Sequence, residues 1–315
     1  MSSISCLIFR ALPMSTAFLF PGQGAQTVGM GRDLCASLSA AKALFDKAST
    51  TLGYDLLAVC ADGPAERLNA TDVSQPAIFV ASLAALEQLK AMQPELLQDV
   101  TATAGLSLGE YTALVFAGVM TFDDALRVVK ARGEAMQAAA EATAGGMVAV
   151  LGLEVPEVES LTAEAQAAAG GVLRVANLLC PGNTVVSGGA AGVEAFGKLA
   201  EARQLRTVKL AVAGAFHTDL MKPADEKLAA ALAGASFTAA RVPVWSNVDA
   251  KPHTDPAEIT PLLVRQVLSP VRWEETLRGL IASGVTKFVE VGPGRVLAGL
   301  LKRVDRKASV VNVGA

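Results

Sequence analysis

The sequence predicts an α/β fold with a mostly parallel sheet, interrupted by a smaller unit of different strand order. Three features lead there. Short apolar segments alternate with helical ones over most of the 315 residues, the pattern of a sheet covered by helices. Two apolar segments run straight into glycine-rich turns, "PGQGAQ" (21–26) and "GLSLGE" (105–110). Between 143 and 210 the order changes to strand–helix–strand–strand–helix–strand, the ferredoxin-like pattern.

Taken in order, "TAFLF" (16–20) is a short strand, and after "PGQGAQ" a helical stretch extends to about 50. "AIFVASLAALEQL" places apolar residues at helical spacing within a helix over about 74–92. "VTATAG" is a strand, "YTALVFAGV" a helix, and a further helix starts at the "TFDD" cap and runs to about 142. In the smaller unit "MVAVLGL", "GVLRVANLL", "NTVVSGG" and "LRTVKLAV" are strands, with "PEVESLTAEAQAAA" and "AAGVEAFGKLAEARQ" as helices. "VPVWSNV" and "KFVEVGPGRVL" return the chain to the larger sheet. The division is therefore 15–142 with 211–308 as the larger domain and 143–210 as an insertion. Residues 1–14 form an extension outside the fold, because Met14 is itself a good start.

Composition bounds the function. With 52% hydrophobic residues a large core is available, and a formal charge of −3 argues against a dedicated nucleic-acid binder. No apolar run reaches the length of a membrane span. The four cysteines, Cys6, Cys35, Cys60 and Cys180, are scattered without a CxxC pair, so neither a disulfide framework nor a metal site is expected. A reducing cytoplasm suits such a chain. Targeting to an organelle through residues 1–14, which carry one Arg and no acid, is the alternative.

Gly105, Leu106, Ser107, Leu108 and Gly109 make a G-x-S-x-G match. Alone it says little, since a serine also caps helices well. A strand before it and a helix after it are the setting of a nucleophile elbow, where glycines let a strained turn close. Its oxygen would sit at a helix N-terminus, where N–H groups favour negative charge. The Leu108 N–H is then one oxyanion donor and the Gln23 N–H of "PGQGAQ" a second, unless that segment is a plain glycine turn. Only His217 and His253 could serve as base. His253, in the proline-flanked "DAKPHTDP", reads as a solvated loop residue, whereas His217 follows an apolar strand, where α/β enzymes place their chemistry. A purely structural His217 stays open.

In "DDALRVVKARGEAMQAAAE", a step of about 100° per residue puts Val129, Met136 and Ala139 within roughly 40° of Ala125. Arg127, Lys130, Glu134 and Glu141 fall between about 140° and 200°, on a polar face. Arg132, at about 340°, lies amid the apolar face. A guanidinium there needs an anion. That anion is a structural carboxylate, or a substrate carboxylate held in a bidentate clamp; otherwise the side chain snorkels outward.

The blocks "FLFPGQGAQTVGMG", "GLSLGEYTAL", "GAFHTDLM", "RQVLSPVRW" and "VEVGPGRVL", in this order over residues 16 to about 305, resemble the malonyl-CoA:acyl carrier protein transacylase family. The resemblance implies an α/β-hydrolase-like large domain with an inserted ferredoxin-like one, and a Ser–His dyad at Ser107 and His217. It implies a backbone carbonyl at Gln266 orienting His217, and Arg132 of "RGEAMQ" binding a malonyl carboxylate. Phe216 is similar to the aromatic that selects malonyl over methylmalonyl groups. The chain departs from many members at Leu106, where they carry His. The implied reaction runs through a malonyl-serine ester, with malonyl-CoA and the phosphopantetheine thiol of acyl carrier protein as substrates, in fatty-acid synthesis. No metal or redox cofactor is implied. Lys302, Arg303, Arg306 and Lys307 are candidates to receive an acidic carrier. Competing readings are a free-standing acyltransferase serving a polyketide synthase, a thioesterase or carboxylesterase, and an inactive carrier-binding scaffold.

Overall fold

The segment Thr16–Phe20 forms β1 and is buried along its whole length, as a central strand covered on both faces must be. The structure, a computed structural model, describes residues 15–315 apart from Ala213; the expected extension 1–14 lies outside the described residues. The remaining strands are β2 (Val100–Gly105), β3 (Gly145–Leu151), β4 (Leu173–Cys180), β5 (Asn183–Gly189), β6 (Arg206–Lys209), β7 (Val244–Trp245), β8 (Pro252–His253), β9 (Val271–Arg272), β10 (Lys287–Val291) and β11 (Ser309–Val313).

Two sheets result. The larger has the order β11-β10-β1-β2-β7-β8 and is parallel except where β8 folds back on β7. β11 corrects the boundary at 308, since it extends the larger sheet to Val313. The smaller sheet has the order β6-β3-β5-β4-β9. Within it β3 runs antiparallel to both β5 and β6, and β4 antiparallel to β5. The sequence does not predict β9, which joins β4 in parallel from beyond residue 210. The protein is thus α/β, with a mostly parallel sheet and a mixed one.

β1 and β2 are neighbours, with Phe20 opposite Gly105. Both glycine-rich turns therefore leave the sheet side by side at the carboxyl ends of the strands, where open α/β sheets place their ligands. The helix Phe122–Ala142 starts as expected, with the Thr121 hydroxyl accepting the Asp124 N–H at 3.1 Å. It crosses the helix Thr71–Met92, which is apolar on nearly every side and correspondingly buried. At the crossing a Cβ on Gly133 would lie 3.0 Å from the Thr71 carbonyl oxygen, so a side chain there would push the helices apart. Close approach at Gly133 brings residues of both helices beneath the Gly105–Gly109 turn.

Candidate functional site

The Gly105–Gly109 turn is tight enough to need both glycines. A Cβ on Gly105 would fall 1.9 Å from the Gly109 carbonyl carbon, and one on Gly109 would fall 2.1 Å from the Phe20 carbonyl oxygen. Between them Ser107 holds φ at 50°, in the left-handed region that costs a non-glycine residue roughly 1–2 kcal/mol. The following helix, Gly109–Phe116, takes Leu108 as its cap and receives no side-chain capping bond. The Ser107 hydroxyl is therefore free of that duty. It lies 3.0 Å from His217 Nε2 and accepts from Arg132 Nη2 at 3.1 Å.

His217, also at positive φ (60°), is 3% exposed. Its Nδ1 is 2.9 Å from the Gln266 carbonyl oxygen. A carbonyl can only accept, so Nδ1 carries the proton and Nε2 presents its lone pair to Ser107. Burial pushes the imidazole pKa down to about 4; the Arg132 charge adds to this, and the bond to Gln266 opposes it. His217 is thus neutral near pH 7. The other histidine is no solvated loop residue. His253 sits in β8 with its side chain 13% exposed, Nε2 3.0 Å from Asp249 and Nδ1 2.9 Å from Glu258. Burial disfavours its charged form, but the two carboxylates outweigh that and hold its pKa above the ordinary imidazole range.

Arg132 is 1% exposed, so it does not snorkel. Nη1 donates to Gln75 Oε1 at 2.6 Å, and Nη2 to Gln266 Oε1 at 2.9 Å and to Ser107. Tyr111 presents its ring 5.5 Å from the guanidinium carbon. Every one of these partners is neutral, Nε has no partner, and no ion pair reaches Arg132 among the described residues. Burial lowers its pKa, yet a guanidinium keeps its proton at any working pH. A buried cation without a carboxylate is costly unless an anion arrives to pair with it.

Gln23 and Leu108 line the same cleft, together with Met136, Met147, Asn177, Phe216 and the three polar residues above; it encloses about 80 Å³. Neither the Gln23 nor the Leu108 N–H donates a hydrogen bond among the described residues. Gly22 allows this convergence, since a Cβ there would meet the Leu106 carbonyl oxygen at 2.3 Å. Leu106 also lines the cleft and packs in an apolar cluster with Ala104 and Trp245, leaving no polar group at that position. Lys302, Arg303, Arg306 and Lys307 are all exposed on or just after the helix Val296–Val304.

Three further residues belong to this arrangement and were missed in the sequence. Gln75 is a buried amide in the polar first turn of the helix Thr71–Met92, just before its apolar run. Asn247, after β7, accepts the Ser107 N–H at 2.6 Å and donates to the Gly105 carbonyl at 2.7 Å, clamping both sides of the turn. Glu110 is 3% exposed, with Gln266 Nε2 at 2.6 Å and the Asn247 N–H at 3.2 Å. Burial pushes its carboxyl up to about 7, against the pull of these donors. The test that singled out Arg132, a charge on an apolar helix face, would also have found Glu110 in "GEYTALVF".

A serine on a strained strand-to-helix turn, paired with a neutral imidazole on an α/β sheet, has the geometry of an acyl-transfer enzyme. The chain belongs to the acyl transferase domain family, whose model matches residues 17–313. It is 45% identical over 298 residues to the malonyl CoA-acyl carrier protein transacylase of Bacillus subtilis, covering 94% of this chain and 92% of that protein. The solved transacylase of the same name from Coxiella burnetii superposes with a TM-score of 0.90 at 37% identity, over 96% of this chain and 94% of that one. A malonyl-transacylase solved with a type II polyketide acyl carrier protein gives 0.89 at 39% identity, over 95% and 96% of the two chains. Among the described residues no helix is long and apolar enough to cross a membrane, and Cys35, Cys60 and Cys180 are buried and unpaired.

Proposed function

We propose that this chain transfers a malonyl group from malonyl-CoA to the phosphopantetheine thiol of acyl carrier protein, supplying extender units for fatty-acid synthesis. The observation that carries the substrate class is the Arg132 guanidinium, buried among neutral partners one hydrogen bond from Ser107 Oγ. An acyl group bearing its own carboxylate supplies the missing anion at the right distance from the nucleophile. The small cleft, well below the roughly 300–1,000 Å³ of sites that take drug-sized ligands, suits a short acyl group.

In the first half-reaction His217 Nε2 takes the Ser107 proton while Oγ attacks the thioester carbonyl carbon. The oxyanion so formed lies between the Gln23 and Leu108 N–H groups, each such donor contributing roughly 10²–10³ in rate. Collapse breaks the C–S bond, and His217 returns its proton to the departing CoA thiolate. In the second, the carrier thiol gives its proton to His217 and attacks the malonyl-serine ester, and Ser107 recovers the proton as it leaves. The Gln266 carbonyl keeps His217 in the required tautomer throughout, doing the work a carboxylate does in a triad. Phe216 lines the same cleft, and its bulk there supports a preference for malonyl over methylmalonyl groups. CoA and phosphopantetheine thioesters act as substrates, and the scheme uses no cofactor.

The architecture is read in the same way. The six-stranded sheet with its nucleophile turn is of α/β-hydrolase type. The order β6-β3-β5-β4 of the smaller sheet supports a ferredoxin-like insertion over 143–210, within a larger domain of 15–142 and 211 onward. A cytoplasmic location is supported by the unpaired cysteines, and Lys302, Arg303, Arg306 and Lys307 by their exposure as a landing place for an acidic carrier.

The deciding experiment follows the intact mass of the protein with malonyl-CoA. An adduct of one malonyl group should form and be discharged when carrier protein bearing phosphopantetheine is added, with malonyl-carrier as product. Steady CoA release without a carrier would instead identify a thioesterase. Comparing fatty-acid and polyketide carriers in the discharge step separates the two pathways.

A further inference from the structure

Gln266 occupies an unusual place, because its side chain and backbone serve different partners. Its carbonyl oxygen takes His217 Nδ1–H, while its side-chain Oε1 takes Arg132 Nη2–H at 2.9 Å. The amide can offer Oε1 to Arg132 only if the NH₂ end points away. That end is held by the Ser107 carbonyl at 3.0 Å and the Glu110 carboxylate at 2.6 Å. An amide whose two ends are chemically opposite has its orientation fixed by whichever partner can only accept or only donate. Ionised Glu110 can only accept. Without it the NH₂ group keeps one neutral acceptor, and the amide is held against Arg132 by two weaker constraints, the Ser107 carbonyl and the Arg132 bond itself.

We infer that Glu110 is a positioning residue for the acyl carboxylate: by holding the Gln266 amide, it fixes the Arg132 guanidinium in the place and plane in which it receives its anion. Among the described residues Glu110 bonds neither Ser107 Oγ nor Arg132 directly, so its action on Arg132 passes through Gln266, while the Asn247 N–H it accepts ties it separately to the clamp on the Ser107 turn. When ionised, Glu110 also places a negative charge one amide away from Arg132, which partly offsets the buried cation while the site is empty. It does so without filling the position a substrate carboxylate must take, as a direct ion pair would.

The inference rests on Arg132 as the carboxylate's partner, and the experiment separates the two ideas. Malonyl and acetyl transfer are measured for Glu110→Ala, Glu110→Gln, Gln266→Ala, the Glu110→Ala/Gln266→Ala pair and Arg132→Ala, with thermal unfolding of each. Glu110→Ala should lower kcat/KM for malonyl-CoA about 10–100-fold, the size of one hydrogen bond to a charged group, chiefly through KM. Acetyl transfer should fall less, by what the lost Asn247 contact costs the Ser107 turn, and in the Gln266→Ala background Glu110→Ala should lower malonyl selectivity no further, as expected of residues acting as one unit. Glu110→Gln keeps an acceptor oxygen and should restore malonyl selectivity to within about 3-fold of the parent. Equal losses for both substrates, or additive losses of selectivity in the double variant, would overturn the role of Glu110. If Glu110→Ala does not fold, loss of malonyl selectivity in Glu110→Gln overturns it instead. An Arg132→Ala variant that fails to discriminate the substrates strikes at the clamp itself, while the double-variant comparison still decides whether Glu110 works through Gln266.

Discussion

Arg132 donates from Nη2 to the Oγ of Ser107 at 3.1 Å, so a buried cation and the nucleophile share a single hydrogen bond. The Ser107 oxygen accepts from Arg132 and turns its own proton toward His217, which aligns it for transfer before any substrate is present. An arriving carboxylate competes for the same guanidinium edge. On the proposed carboxylate role of Arg132, binding of the acyl group and release of the serine oxygen would be one event.

Removing the nucleophile is the simplest test. Ser107→Ala should abolish the malonyl adduct seen by intact-mass measurement while shifting Tm by no more than a few degrees, since the half-buried hydroxyl adds little packing. An adduct of undiminished amount would place the nucleophile elsewhere.

Arg132→Ala should cut malonyl kcat/KM by roughly 10²–10³-fold, the loss expected when a buried carboxylate is left unpaired. Acetyl-CoA, with no carboxylate, should lose far less, only what the Arg132–Ser107 hydrogen bond contributes to aligning the serine. The comparison is made at a temperature where circular dichroism shows the variant folded. A parallel fall of both activities would make Arg132 a structural cation only.

For the base, His217→Ala should slow acylation by roughly 10²–10⁴-fold, and His253→Ala, held between Asp249 and Glu258, should leave the rate nearly unchanged. The pH profile gives a sharper check. With its pKa pushed down to about 4, His217 keeps its lone pair far below the ordinary imidazole range. The acid limb of kcat/KM should accordingly fall near pH 4. A limb at 6.5, the unperturbed value, would mean a base that is far less buried.

The same groups link folding to pH, with opposite signs. The unfolded chain protonates His217 near 6.5 and the folded one only near 4, so stability is lost as pH falls through that window. Glu110 binds its proton near 7 when folded and near 4.5 when unfolded, so stability is gained as pH falls from 7 to 4.5. In the wild type the two slopes largely offset each other. Urea unfolding of His217→Gln should show stability rising between pH 7 and pH 5 relative to wild type, and Glu110→Gln the reverse. Parallel curves would contradict both pKa displacements.

Much of this was legible in the sequence because it depends on local pattern. The cap at Thr121, the polar and apolar faces of the helix Phe122–Ala142 and the strand–turn–helix around Ser107 follow from residues close along the chain. Gln75 was not legible, because its meeting with Arg132 depends on how closely two helices cross at Gly133. Asn247 and Glu110 lie 137 residues apart and meet only through the sheet. His253 misled for the opposite reason. Its neighbours in "DAKPHTDP" look like solvent-facing turn residues, but the turn closes on itself and Asp249 and Glu258 enclose the ring.

The two-residue strand β9 bears on how the protein could be rebuilt. It completes the smaller sheet from a segment that begins five residues after Gln266, with Asn177 opposite Val271 and Leu178 opposite Arg272. In a chimera that exchanged residues 143–210 with those of a relative, a foreign β4 would have to accept this strand in the same register. A mismatch would be felt first at Gln266, and so at His217 and Arg132, before the exchanged piece itself came loose. The portable unit is thus two stretches of chain, and a graft that carries 271–272 along with 143–210 should keep its activity where the shorter graft does not.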